Sequence, residues 1–274
     1  MITITGAAGN VGRPLVQALV SAGEQVTAVS RRPDAGAGAG PGVRHQQADL
    51  AVPESLKPAL DGAAALFLLV AGEEPGRILE IARASGVRRV VLLSTQGAGT
   101  RPGAYRHAAA FEAAVRQSGL DATVLRPGGF DTNALAWAPL VRAERTVAAP
   151  FGDVGLPAVD PADIAAAAAA VLRGRGHAGR TYELTGPAPV SPRQQAAAIG
   201  AALGEPVRFA ELTAAQARDR MLAFMPEAVA DATLAILGDP SPAEQQVSPD
   251  LARLLGRPPG TFADWAARSA DAFR

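Results

Sequence analysis

Strand-like and helix-like stretches alternate through the first half of the chain. Short β-branched and aliphatic runs at positions 2–5, 25–30, 43–46, 65–70, 89–94 and 122–125 have the length and flanking turn residues of β-strands. Between most of them, positions 11–22, 53–60, 75–85 and 105–118 carry the apolar spacing of helices that bury one face. Gly23, Gly86 and Gly119 each follow such a helix, where a left-handed cap favours glycine. This alternation predicts an α/β fold: a doubly wound parallel sheet in the order 3-2-1-4-5-6, with helices on both faces and right-handed crossovers.

The rhythm changes near position 150. Positions 157–160 read as a short strand, 161–172 as an alanine-rich helix opened by Pro161, and 180–184 as a strand. Beyond 191 the pattern is mostly helical, and Ser191-Pro192 and Ser248-Pro249 have the serine-then-proline signature of helix starts. The expected division is residues 1–186 as the main domain and 187–274 as a small helical C-terminal lobe packed across one sheet edge. Phe262, Trp265 and Ala266 form a stripe expected in its core. Pro33 to Gly42 is a glycine- and proline-rich loop in which no helix is expected.

Composition narrows the chemistry. With 26 basic and 26 acidic residues, formal charge is zero, so neither a nucleic-acid nor an anionic-membrane surface is expected. There are no cysteines, which excludes disulfides and thiolate chemistry. His45, His107 and His177 are far apart, so no metal site is expected. No run reaches the roughly 18 apolar residues of a membrane helix. The sequence enters its first strand at Ile2 with no basic leader, which predicts a cytoplasmic protein without a signal peptide.

The most informative motif is Thr5-Gly6-Ala7-Ala8-Gly9-Asn10-Val11-Gly12, between the first strand and the first helix. In this context Gly6 makes the tight turn, Gly9 lets the backbone approach a pyrophosphate, and Gly12 permits close helix–sheet packing. The helix N-terminus favours the phosphates. The reading is an NAD(P)-binding Rossmann fold, with Gly6, Ala8, Gly9, Asn10, Val11 and Gly12 at the cofactor. At the end of the second strand, an NAD site has a carboxylate for the ribose hydroxyls. Here the chain reads Val29-Ser30-Arg31-Arg32. Either arginine suits a 2′-phosphate, which predicts NADP(H) over NAD(H).

These blocks, with Ala48-Asp49-Leu50, Gly86 to Thr95, Ser118 to Phe130, Asn133 and Asp160-Pro161-Ala162-Asp163-Ile164-Ala165, resemble the NmrA-like NAD(P)-binding group of the atypical short-chain dehydrogenase/reductase superfamily. The resemblance implies that Asp49 and Leu50 lie by the adenine. It places Leu69 and Val70 beside the ribose and Pro127 and Gly128 near the nicotinamide.

The wider superfamily's tyrosine–lysine pair, in which lysine lowers the phenol's pKa, is missing. Lys57 is the only lysine, and the residue four after Tyr105 is Ala109. The polar candidates are Ser94 at the fifth strand's end, His107 where the family places a basic residue, and Tyr105. Their competing roles are a turn cap, an exposed helix histidine and packing. Phe130, Trp137 and Phe151, with Met221, Phe224 and Met225 on one predicted late helix, are candidates for an apolar substrate pocket and lid.

The expected function is NADPH-dependent reduction of an apolar quinone or an enone-type carbonyl. The alternatives are a non-catalytic NAD(P) sensor of NmrA type, which alone calls for a protein partner, and a biosynthetic tailoring reductase or isomerase.

Overall fold

The computed structural model describes residues 1–32 and 40–274. Most of the predicted 33–42 loop therefore lies outside the described residues. Nine strands are present among the described residues: β1 (Ile2–Thr5), β2 (Val26–Ser30), β3 (Val43–Gln47), β4 (Ala65–Leu69), β5 (Arg89–Leu93), β6 (Asp121–Pro127), β7 (Thr146–Ala149), β8 (Thr181–Leu184) and β9 (Arg208–Glu211). Seven form one sheet in the order β3-β2-β1-β4-β5-β6-β8, and every pairing in it is parallel. The six-strand order predicted above is observed, extended at one edge by β8.

Each central strand feeds two cores because successive side chains point to opposite faces. Ile2, Ile4, Phe67, Val91 and Leu125 face helices Gly12–Ser21 and Pro161–Arg173. Leu66, Leu68, Val90, Leu92 and Val124 face Pro75–Ala84 and Arg106–Gln117, whose Ile78, Leu79, Phe111 and Val115 join the same core. Thr3 and Thr5 are fully buried, yet their hydroxyls donate to the carbonyls of Ala59 and Phe67, so burial leaves neither unsatisfied. Asp160 caps Pro161–Arg173 by accepting from the Ala162 amide, and Ser191 caps Pro192–Leu203 through a reciprocal box with Gln194.

Positions 157–160 form no strand. Val159 makes a single bridge with Phe130, and Leu156, just before this stretch, makes one with Val190. Pro157 has no N–H to give a ladder, and Pro161 opens the next helix two residues after Val159. A pair of parallel strands that the residue pattern did not announce, β7 with β9, forms a separate two-stranded sheet. Beside it lies a third core of Ala134, Val141, Val147, Ile199, Phe262, Trp265 and Phe273. This core draws on residues from both sides of position 186. Helix Asp250–Leu255 buries Leu251 in the main core against Pro161–Arg173.

Candidate functional site

The glycine turn leaves β1 at the carboxyl edge of the sheet, where open α/β sheets bind ligands. Gly6 is left-handed at φ +64°, and a Cβ there would lie 2.1 Å from Leu69 Cδ1. A Cβ on Gly12 would lie 2.1 Å from the Gly6 carbonyl oxygen. Both positions therefore exclude any other residue. Gly9 is exposed, with only the Gly6 oxygen near its Cβ position, at 3.2 Å. Helix Gly12–Ser21 starts with no side-chain cap and no acidic residue in its first turn, so its positive end is free for an anion. This shape and polarity fit a dinucleotide pyrophosphate.

The proposed flanking contacts converge on the same edge. Leu69 ends β4, and its amide donates to Thr5 Oγ1 at 3.0 Å. Asp49 is exposed and closes a local turn by accepting from the Ala51 amide at 3.0 Å. Leu50 is buried, and its carbonyl lies 2.2 Å from where a Gly72 Cβ would be. Arg31 and Arg32 are exposed just beyond β2. Among the described residues neither guanidinium pairs with a carboxylate. Their backbone is held instead, the Arg31 carbonyl by Gln47 Nε2 and the Arg32 carbonyl by Ser30 Oγ. Asn10 Nδ2 donates to Thr132 Oγ1 at 3.3 Å, tying the glycine loop to the segment that follows Pro127, the last residue of β6, and Gly128.

The three polar candidates are not joined. Ser94, just beyond β5, is 8% exposed, and its hydroxyl donates inward to Glu112 Oε1 at 2.7 Å. Tyr105 packs its ring on the Gly97 backbone, where a Cβ would approach to 2.5 Å, and its hydroxyl shares a hydrogen bond with Thr233 Oγ1 at 3.2 Å. His107 is exposed on helix Arg106–Gln117, edge-on to Phe111 and 3.8 Å from Glu73.

Glu112 organises the region and was not among the sequence candidates. It is 1% exposed. Its two oxygens accept from Ser94, from Arg126 Nε and Nη2 at 2.8 and 2.7 Å, and from Arg116 Nη2 at 2.8 Å. Burial alone would raise its pKa; the bonds from Arg126, Ser94 and Arg116 outweigh burial and hold it at about 2. Arg126 reaches on to Glu183 Oε1 at 3.2 Å.

The apolar candidates divide among three places. Phe130 packs on the main core and Trp137 on the third core. Phe151 adopts φ +53°, a strained value for an aromatic residue, and its ring meets helix Glu227–Gly238 at Gly238. Met221, Phe224 and Met225 do not share a helix: Ala214–Leu222 ends first, because Pro226 stops its continuation. Phe224 projects with 74% exposure. The segment holding Thr233 is also fastened by Arg101, which pairs with buried Glu244 at 2.7 Å and bonds the Asp239 carbonyl.

Residues 6–174 match the family model described as NAD(P)H-binding. The chain belongs to this family. A (4-alkanoyl-5-oxo-2,5-dihydrofuran-3-yl)methyl phosphate reductase of Streptomyces griseus is 40% identical, with 100% of this chain and 99% of the relative covered. An NAD(P)H azoreductase of Xenophilus azovorans is 32% identical over 100% and 99%. The structure of an NADPH-dependent quinone oxidoreductase from Escherichia coli in complex with NADPH superposes with TM-score 0.82 at 29% identity, covering 98% of this chain and 99% of that one. The NmrA-like resemblance read from the motifs holds.

One further buried acid in this NAD(P)H-binding protein lies beside the Asn10–Thr132 contact. Asp131 is 1% exposed, and neither carboxylate oxygen has a hydrogen-bond partner. Burial, reinforced by Asp160 and Asp163 and opposed by Arg268, raises it to about 7. Asp160 is paired with Arg268, and Asp163 with Arg257 and the Gly260 amide. A carboxyl whose folded pKa is raised costs nothing while protonated in both states. The cost grows as pH rises above the unfolded value of 3.8 and is complete above about 7. Asp131→Asn should therefore be the more stable protein at pH 8, by up to about 4 kcal/mol, with the difference shrinking toward pH 4. Urea denaturation at a series of pH values measures it; a difference independent of pH would contradict the assignment.

Proposed function

We propose that the protein is an NADPH-dependent reductase of an electron-poor double bond, in a quinone or in an enone-type carbonyl compound such as an acyl butenolide. The observation that carries the reading is the uncapped glycine turn at the carboxyl edge, with Arg31 and Arg32 just beyond β2, neither paired with a carboxylate among the described residues, and no tyrosine–lysine pair in the sequence. Full-length similarity to reductases named for a butenolide, azo compounds and quinones supports the substrate class. The tailoring reading named above, reduction within a biosynthetic pathway, lies within this proposal.

When bound, the cofactor supplies a hydride to the substrate. The chain's residues bind and orient. The turn from Ala8 to Gly12 would hold the pyrophosphate, and Arg31 or Arg32 the 2′-phosphate. Asp49 and Leu50 border the adenine, Leu69 and Val70 the ribose, and Pro127 and Gly128 the nicotinamide. Phe130, Trp137 and Phe151 supply apolar walls, with Met221, Phe224 and Met225 as the covering segment. Reduction of such a bond leaves an enolate or phenolate, which takes its proton from water without a strong general acid. Tyr105, already bonded to Thr233, is assigned no proton transfer. Ser94 is assigned a positioning role through Glu112. His107 remains the candidate for contact with the ribose or a substrate oxygen.

NADPH consumption with a panel of quinones and 3-acyl-2(5H)-furanones tests the proposal. NADPH should bind more tightly than NADH. Replacing Arg31 and Arg32 together by alanine should weaken NADPH binding by about 1–3 kcal/mol and leave NADH nearly unchanged. Equal losses for both would overturn the cofactor assignment. Tight NADPH binding with no consumption by any acceptor would replace the reductase reading with that of a cofactor sensor.

A further inference from the structure

Beyond Pro127 and Gly128 the carboxyl edge continues as an open cleft of about 330 Å³, between the ends of β5, β6 and β8 and the segment around 243–249. Its walls include Gln96, Gly99, Thr100, Arg126, Glu183 and Ser248. The Glu112 network fixes Arg126 from behind. Three of its N–H groups are used, two by Glu112 and one by Glu183 Oε1. A guanidinium has five, so two remain. Gly99 makes room for this arrangement: a Cβ there would lie 2.4 Å from Arg126 Nη1.

Glu183 contributes the complementary feature. Its Oε2 is shielded from solvent and has no hydrogen-bond partner. A buried acceptor in this state is costly unless something brings it a donor. The cleft thus holds a fixed donor, and the carboxylate beside it carries an unfilled acceptor oxygen shielded from the opening. Its charge is balanced, because Arg126 is flanked by Glu112 and Glu183, and Arg116 lies behind Glu112. No surplus cation faces the cleft from this network.

We propose that the cleft seats the end of the substrate away from its reducible bond, and that it selects an uncharged hydroxyl or hydroxymethyl group over a phosphate ester. A hydroxyl oxygen accepts from Arg126, and a turn of the Glu183 carboxylate brings its unpartnered oxygen round to take the hydroxyl proton. A phosphate dianion has no proton for Glu183, and it meets no uncompensated cation because Arg126 is already balanced by Glu112 and Glu183. The placement on the substrate rests on the reductase reading; the binding preference does not.

The probes are three 3-acetyl-2(5H)-furanones carrying methyl, hydroxymethyl or phosphoryloxymethyl at C4. Their affinities for the NADP-loaded protein are measured by calorimetry and their kcat/KM values by NADPH consumption. The hydroxymethyl compound should bind about tenfold more tightly than the methyl compound, the phosphate least tightly. Glu183→Ala should erase the hydroxymethyl advantage. Glu183→Gln should narrow the penalty on the phosphate while NADPH affinity stays unchanged. Tightest binding of the phosphate, or an equal loss for all three in Glu183→Ala, would overturn the proposal. The predicted binding order without turnover would support the cleft and remove the reductase reading. Turnover without any order among the three would do the reverse.

Discussion

Glu112→Ala should destabilise the protein by about 3–5 kcal/mol, the cost of stranding the partners of a buried ion pair. Glu112 sits at 1% exposure with two arginines and a serine hydroxyl on its oxygens. Removing it leaves Arg126, on the inner face of β6, without its main counter-charge. The loss should also carry a pH signature. The folded pKa of Glu112, about 2, lies below the ordinary 4.5, so its contribution is complete above pH 4.5 and is lost as pH falls toward 2. Wild type and variant should therefore converge in stability on acidification. Urea denaturation reads both effects; a loss below about 1 kcal/mol would mean that the network holds together without its centre.

The second large effect is expected at the glycine turn, where two neighbouring glycines should behave differently. Gly9→Ala adds a methyl group to an exposed position whose nearest neighbour is the Gly6 oxygen at 3.2 Å. The fold should tolerate it, but the backbone can no longer approach a pyrophosphate closely. NADPH affinity should fall about 100-fold, or about 2.7 kcal/mol, with little change in unfolding midpoint. Gly12→Ala places its methyl 2.1 Å from the Gly6 oxygen and 2.8 Å from Ala7 Cα. That clash is with backbone and should cost stability as well, about 1–3 kcal/mol. Equal NADPH affinity in Gly9→Ala and wild type would place the cofactor elsewhere.

Much of this was legible in the residues, for physical reasons. Strands buried on both faces are near-continuous apolar runs, so β1, β4 and β5 stand out, and the glycine motif is recognisable because a strand precedes it and a helix follows. Other features leave only partial traces. Glu112 falls on the buried stripe of its helix with Ala108, Phe111 and Val115, and Arg126 interrupts the apolar run of β6. Two opposite charges that each break a hydrophobic pattern must pair, and that signal was available. The β7–β9 pairing was not, since four-residue strands about 60 positions apart carry no register in their own pattern. Nor was Asp131, whose burial comes from elements far along the chain. Ser94 was correctly located at a strand end, but the direction of its hydroxyl depends on Glu112. The late helix assigned to Met221, Phe224 and Met225 ran too far because a proline stop was passed over.

Under the proposed function, the chain moves a hydride from bound NADPH to an electron-poor double bond. The most direct measurement is an anaerobic single turnover, with excess protein, NADPH deuterated at C4 in each stereochemical position, and a 3-acyl-2(5H)-furanone. Deuterium from one of the two labelled cofactors should appear on the ring carbon β to the carbonyl as the reduced-nicotinamide absorbance disappears. NADPH that stays reduced, or is consumed without label reaching the ring, would contradict the account.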